Sequence, residues 1–207
     1  MVLAPNPHVT YYPGARPMTM KVIFAPDSGR ILGAQIVGFE GVDKRIDVLA
    51  TAIQAGMTAA GLKALDLAYA PPYSSAKDPV NMAGFMIENL LTGKVKQYHS
   101  DDVAALPRDG SVTLLDTRTS EEYARGHAAG FINIPLDDLR EHLEEIPADR
   151  PVYVICQSGL RSYLACRILT QEGFDSRHFA GGYGFYAAVT AGTPVARAAG
   201  DCGLVQA

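Results

Sequence analysis

The stretch PVYVICQSGLRSYLACRILTQEG, residues 151–173, constrains the fold more than any other part of the chain. An apolar, β-branched run ends at Cys156. A short loop containing Gly159 follows, and apolar residues then recur at helical spacing. A strand that hands over directly to a helix belongs to an α/β arrangement, because the helix must fold back to cover the sheet. In such sheets, sites form beyond the carboxyl ends of strands, and Cys156 stands at that place. Unpaired N–H groups of the loop and of the helix N-terminus favour an anion there. A thiolate at Cys156 is therefore stabilised and available as a nucleophile.

The neighbouring segments repeat the alternation. SVTLLD reads as a strand, SEEYARG as a helical turn, GFINIP as a short strand and LDDLREHLEEI as an amphipathic helix with a solvated acidic face. SRHFAGGYGFYAAVTAG reads as strand, turn and helix. Strands alternating with helices predict a mostly parallel sheet covered on both faces. Cys166 lies on the apolar face of the helix after the loop and reads as core. Cys202 lies in a loose tail, where it is either a bystander or an exposed thiol that relays sulfur.

The first half is organised differently. MTMKVIFA and RILGAQIVG flank the turn cluster PDSGR and predict an antiparallel hairpin. DKRIDVLATAIQAGM has helical spacing, TAAGLKAL opens with a Thr suited to an N-cap, and Pro79 begins an apolar helix that ends before Gly93. This is an α+β pattern. Residues 1–97 carry nine basic and seven acidic residues and residues 98–207 nine and fifteen. All six lysines fall in the first part and all three cysteines in the second. Two modules, 1–97 and 98–207, are expected.

Composition excludes several classes. No apolar run approaches the ~18 residues of a membrane span, and the start lacks a basic region followed by an apolar core. The cysteines are expected as reduced thiols in a cytoplasm. A net charge of −4 argues against nucleic acid as a partner, and no metal site is expected.

The loop itself admits two chemistries. A phosphatase cradle must hold a phosphoryl group and commonly has one more residue between Cys and Arg than the four here, Gln157, Ser158, Gly159 and Leu160. The smaller ring suits a single sulfur atom carried as Cys–S–S⁻. The alternative is an inert, buried cysteine at a strand end. The loop, with Arg161 and Ser162 at its end, resembles the active-site loop of rhodanese-like sulfurtransferases. LLDTRTSEEYARGHAAGFINIPL resembles that family's opening signature, and AGGYGFY its closing Gly-Gly-aromatic turn. The resemblance implies that Cys156 accepts a sulfane sulfur from a small donor and passes it to a thiol, with Arg161 as the loop arginine. Asp116, Arg118, Glu122 and His127 are expected to fix the strand-end loops through ion pairs and hydrogen bonds.

HVTYYPGA, KVIFAPDSGRILGAQIVG and YAPPYSSAKDPVNMAG resemble the interface domain of flavin- and pyridine-nucleotide-dependent disulfide reductases, closest to the coenzyme A-disulfide reductase and NADH oxidase branch. The resemblance implies a homodimer built through the first module. It also implies tyrosines that reach a partner subunit's active site, from among Tyr11, Tyr12, Tyr69 and Tyr73; plain packing is the alternative for them. The strand and helix that open that family's interface domain are expected to be absent upstream of HVTYYPGA, so the domain is expected to be incomplete and the chain the tail of a longer reductase, a fragment or a split gene. No G-x-G-x-x-G follows a strand. FAD, NAD(P)H and coenzyme A are therefore expected only with an intact parent or a separate flavin-domain chain. The rival function is a non-catalytic subunit that docks such flavin domains.

Overall fold

The structure is a computed structural model that describes residues 1–190. It opens with a short strand, β1 (Val2–Leu3), followed by β2 (Thr19–Phe24) and β3 (Ile31–Val37). These form an antiparallel sheet in the order β1-β2-β3, with Val22 opposite Ala34. The hairpin turns where expected. Ala25 N–H donates to Arg30 O at 2.9 Å and the Asp27 carboxylate accepts from Ser28 N–H at 2.8 Å.

Three helices cover this sheet: α1 (Val42–Gln54), α2 (Ala59–Ala64) and α3 (Pro79–Leu91). Each start has a local cause. Thr58 accepts from Gly61 N–H at 3.4 Å and caps α2. Asp78 caps α3 in a reciprocal capping box with Asn81, and Pro79 takes the first helical position, where a missing N–H costs nothing. The core between sheet and helices comprises Met20, Val22, Ile31, Leu49, Leu62, Val80 and Ile87, all 0–1% exposed. Full burial of one such aliphatic side chain contributes about 1.5–3 kcal/mol.

The second sheet has five strands: β4 (Gln97–Tyr98), β5 (Thr113–Asp116), β6 (Ile132–Asn133), β7 (Val152–Ile155) and β8 (Ser176–Phe179). Their order is β4-β8-β7-β5-β6, and every pairing is parallel. Between them run α4 (Ser100–Val103), α5 (Ser120–Ala124), α6 (Leu160–Gln171) and, last, α7 (Gly182–Thr190). Alternation along β7 divides the core. Val152 and Val154 pack on one face with Leu115, Cys166 and Leu169, and Ile155 packs on the other with Tyr98, Leu114 and Phe179.

One expected element is absent. LDDLREHLEEI forms successive turns and a single 3-10 turn at Leu143–Glu145 instead of an α-helix. Its backbone bonds run to the third residue back: Leu139 to Leu136, His142 to Leu139, Ile146 to Leu143. Leu139 and Ile146 still reach the core, which accounts for the misleading periodicity. Like-charged pairs four apart, Asp137–Glu141 and Glu141–Glu145, each disfavour the α form by a few tenths of a kcal/mol, and Pro135 and Pro147 bound the segment. The expected strand in GFINIP shrinks to two residues. Upstream of HVTYYPGA, where no strand was expected, β1 pairs with β2, Val2 opposite Lys21; β4 and α4 were not foreseen either.

Side chains join the two sheets' layers. The Gln97 amide pairs with the backbone of Val2, accepting at 3.4 Å and donating at 3.1 Å. Asn89 on α3 donates to the Tyr163 hydroxyl on α6 at 3.0 Å, and Arg167 donates to Lys94 O.

Candidate functional site

Cys156 follows the last residue of β7 and is wholly buried. Gly159 N–H donates to its Sγ at 3.1 Å, and the Ser162 hydroxyl lies 3.4 Å from Sγ while donating to Gly159 O at 3.1 Å. Gly159 caps α6 at φ +102°, a left-handed conformation that glycine adopts without strain. The N–H groups of Gln157, Ser158 and Leu160 have no hydrogen-bond partner among the described residues. Thiol, glycine turn and unpaired N–H groups thus meet at the carboxyl end of a central strand. Gln157 and Leu160 are exposed and Ser158 is half-buried, so the loop opens to solvent on one side.

Two arginines bracket the loop, and each is held by a carboxylate. Arg161 makes a two-pronged pair with Glu122, at 2.6 and 2.8 Å. Glu122 also closes the capping box of α5, accepting from Thr119 N–H at 2.9 Å. The hydrogen bond from Arg161 holds the Glu122 carboxyl down at about 2, and the same pair raises the Arg161 guanidinium. Arg118 is buried on Asp116, with contacts of 2.8–3.1 Å, and also donates to Gly126 O at 2.7 Å. Its Nη1 lies 3.5 Å from Gln157 Oε1. His127 is exposed, stacked on Tyr123 at 3.9 Å between ring centroids.

The start of α7 touches the loop from behind. Tyr183 N–H donates to Cys156 O at 2.6 Å and Gly184 N–H to Gln157 O at 3.0 Å. The run Gly182–Ala187 follows a strand and opens a helix, as a dinucleotide turn would. Two of its N–H groups, those of Tyr183 and Gly184, are donated to these carbonyls. Among the described residues no three His, Cys, Asp or Glu side chains converge as a metal site, and no helix is long and apolar enough to cross a membrane.

Of the other thiols, Cys166 is buried in the core, and burial pushes it up to about 12. Cys202 lies outside the described residues.

The four tyrosines of the first half are exposed: Tyr11 by 77%, Tyr73 by 72%, Tyr69 by 50% and Tyr12 by 43%. Tyr12 packs edge-on against the buried His8, with 5.8 Å between ring centroids. Partial desolvation, then the adjacent Tyr11 hydroxyl, raises Tyr69. What gathers their segments is a residue the sequence reading passed over. Arg45 is 1% exposed and donates to Asp78 Oδ2 at 2.8 Å, to Pro7 O at 2.6 Å, to Gly41 O at 3.1 Å and to Tyr73 O at 3.1 Å. It ties the backbone before Tyr11 and the backbone at Tyr73 to the cap of α3. The available signal was its place on the buried stripe Arg45, Leu49, Ala52. A charge on that stripe demands an internal partner.

Comparison with known proteins agrees with both halves. Residues 1–80 match the pyridine nucleotide-disulphide oxidoreductase dimerisation domain, and residues 99–188 match the rhodanese-like domain. Over 78 residues the chain is 47% identical to a coenzyme A disulfide reductase of Staphylococcus aureus, strain bovine RF122 / ET3-1, covering 38% of this chain and 18% of that protein. Reduced Bacillus anthracis CoADR-RHD superposes with a TM-score of 0.87 at 46% identity, covering 91% of this chain and 34% of that one. A NAD-dependent persulfide reductase from A. fulgidus gives 0.79 at 41% identity, covering 89% and 33%. The chain thus spans about a third of those solved chains and less of the curated relative. It joins a pyridine nucleotide-disulphide oxidoreductase dimerisation domain to a rhodanese-like domain.

Proposed function

We propose that Cys156 is the nucleophile of a rhodanese-type sulfurtransferase, working beside a disulfide reductase that acts on coenzyme A disulfide or on persulfides. The observation that carries this reading is the buried Sγ at the end of β7, with Gly159 N–H at 3.1 Å and further loop N–H groups that have no partner among the described residues. In the first step the Cys156 thiolate attacks the outer sulfur of a hydropersulfide R–S–SH. The donor S–S bond breaks and its electron pair leaves with R–S⁻. The new Cys156–S–SH loses a proton to become the persulfide anion, which the loop N–H groups stabilise. In the second step an acceptor thiolate attacks the outer sulfur and Cys156 leaves as thiolate. The two steps together are redox-neutral and need no flavin. Arg161, paired to Glu122, braces the loop, and Asp116 with Arg118 anchors the strand end behind it.

The first half supplies the assembly surface of a homodimer, and its exposed tyrosines meet a partner subunit. FAD, NAD(P)H and coenzyme A belong to a flavin domain in company with this chain, where the sulfur on Cys156 would be reduced. The same exposed tyrosines favour a second reading, in which the chain docks flavin domains without turning over. A sulfur-transfer assay with thiosulfate or a hydropersulfide, on a sample whose absorbance spectrum is also recorded, separates them. Turnover without flavin absorbance supports the sulfurtransferase. No turnover supports the docking subunit.

A further inference from the structure

Tyr183 meets the cysteine loop through its backbone and the end of the β5 segment through its ring. Its N–H donates to Cys156 O at 2.6 Å, and its ring lies 3.8 Å from the Arg118 guanidinium carbon. A Cβ on Gly126 would come within 3.0 Å of its hydroxyl. The next residue, Gly184, donates to Gln157 O at 3.0 Å. The residue before, Gly182, sits at φ +74°, and a Cβ there would stand 2.5 Å from both Gln157 O and Ser158 N. Backbone meets backbone at this point, so no side-chain adjustment can relieve such a clash.

Peptide planarity turns these contacts into a statement about the site. In a trans peptide the C=O and the following N–H point in opposite directions. With Cys156 O and Gln157 O both held by the first turn of α7, the N–H groups of Gln157 and Ser158 must point away from α7. Those N–H groups have no protein partner among the described residues. A loop free to rotate these two peptides could present carbonyl oxygens instead, which would repel a persulfide anion.

Resting on the sulfur-transfer reading, we infer that Gly182 and Tyr183 are positioning residues. They fix the peptide planes Cys156–Gln157 and Gln157–Ser158 so that two N–H donors, with that of Gly159, hold the outer sulfur of the persulfide. Arg118 serves the same device: anchored on Asp116, it supports the Tyr183 ring. Neither residue touches the reacting atoms.

The test uses the full chain carrying Cys202→Ser, so that only the described thiols remain. Wild-type, Gly182→Ala, Tyr183→Leu and Tyr183→Phe proteins are loaded with an inorganic polysulfide, desalted, and followed by cyanolysis and intact mass. Folding is checked by thermal unfolding and circular dichroism. Loss of aligned donors should shorten the persulfide lifetime of Gly182→Ala by about tenfold to a hundredfold. Tyr183→Leu should show a smaller shortening, and Tyr183→Phe, which keeps the ring on Arg118, should restore most of it. A folded Tyr183→Leu or Gly182→Ala with the wild-type lifetime overturns the proposal while leaving sulfur transfer intact. Losses that track only the unfolded fraction in both variants also overturn it. A wild-type protein that takes up no sulfur on Cys156 overturns the sulfur-transfer reading and this proposal with it.

Discussion

If Arg161 braces the cysteine loop through Glu122, removing either partner should have the same consequence for sulfur transfer. The pair is two-pronged at 2.6 and 2.8 Å, with side chains 31% and 27% exposed. Glu122 lies at about 2 against an ordinary 4.5, a difference worth at most about 3 kcal/mol. Solvent reaches the pair, so screening leaves about 1–2 kcal/mol. The folded-state value is depressed. The contribution is therefore fully present above pH 4.5 and is lost as pH falls through about 2. Glu122→Gln should destabilise by about 1 kcal/mol at neutral pH, measured by urea unfolding, with the gap to wild type closing in acid. In transfer assays Glu122→Gln and Arg161→Met should each lose up to about tenfold, since 1.4 kcal/mol is one factor of ten. The double variant should lose little more than either single one. Full activity in Glu122→Gln with loss in Arg161→Met would refute the brace and make Arg161 a direct partner of the bound sulfur. An additive double variant would refute the shared role.

Three other parts of the structure carry testable consequences. Asp78→Asn leaves Arg45 buried with carbonyl partners but no anion and should cost about 3 kcal/mol, read as a fall in melting temperature; an unchanged melting temperature would contradict the clamp. His178 is 3% exposed, its Nδ1 has no partner among the described residues, and burial holds it down at about 4 against 6.5. Its neutral form favours folding fully above pH 6.5, and that contribution, about 3 kcal/mol in all, is lost as pH falls through about 4, so His178→Phe should lose less stability between pH 7 and 4 than wild type does; equal slopes in urea titrations would exclude this. Light scattering should find the full chain dimeric at micromolar concentration and Tyr69→Asp/Tyr73→Asp weakened in association; a monomeric wild type would remove the assembly surface from the account.

The cysteine loop was legible because its chemistry is local: strand, thiol, glycine turn and helix lie within residues 151–173. The starts of α2 and α3 were legible for the same reason, since Thr58 and Asp78-Pro79 act on their own neighbours. Arg45 was missed because its partners, Pro7, Tyr73 and Asp78, lie 28–38 residues away, and only its place on an apolar stripe hinted at them. Tyr183 was legible as an aromatic in a Gly-Gly turn, whereas its stack on Arg118 depends on α7 folding back to the end of β5. The strands β1 and β4 have two residues each, too short to show a period. LDDLREHLEEI misled because successive turns bury Leu139 and Ile146 at nearly helical spacing.

On the proposed reading, sulfur is carried on Cys156. The direct measurement is intact-mass and peptide mapping of wild-type and Cys156→Ser proteins after exposure to a hydropersulfide, with transfer to an acceptor thiol followed on the same samples. A sulfur added at Cys156 in the wild type and passed to the acceptor is the expected result. No transfer is expected from Cys156→Ser, although Cys166 and Cys202 remain: Cys166 is buried and pushed up to about 12, and Cys202 lies outside the loop 156–162 in sequence. Wild-type rates of transfer from Cys156→Ser would contradict that reading.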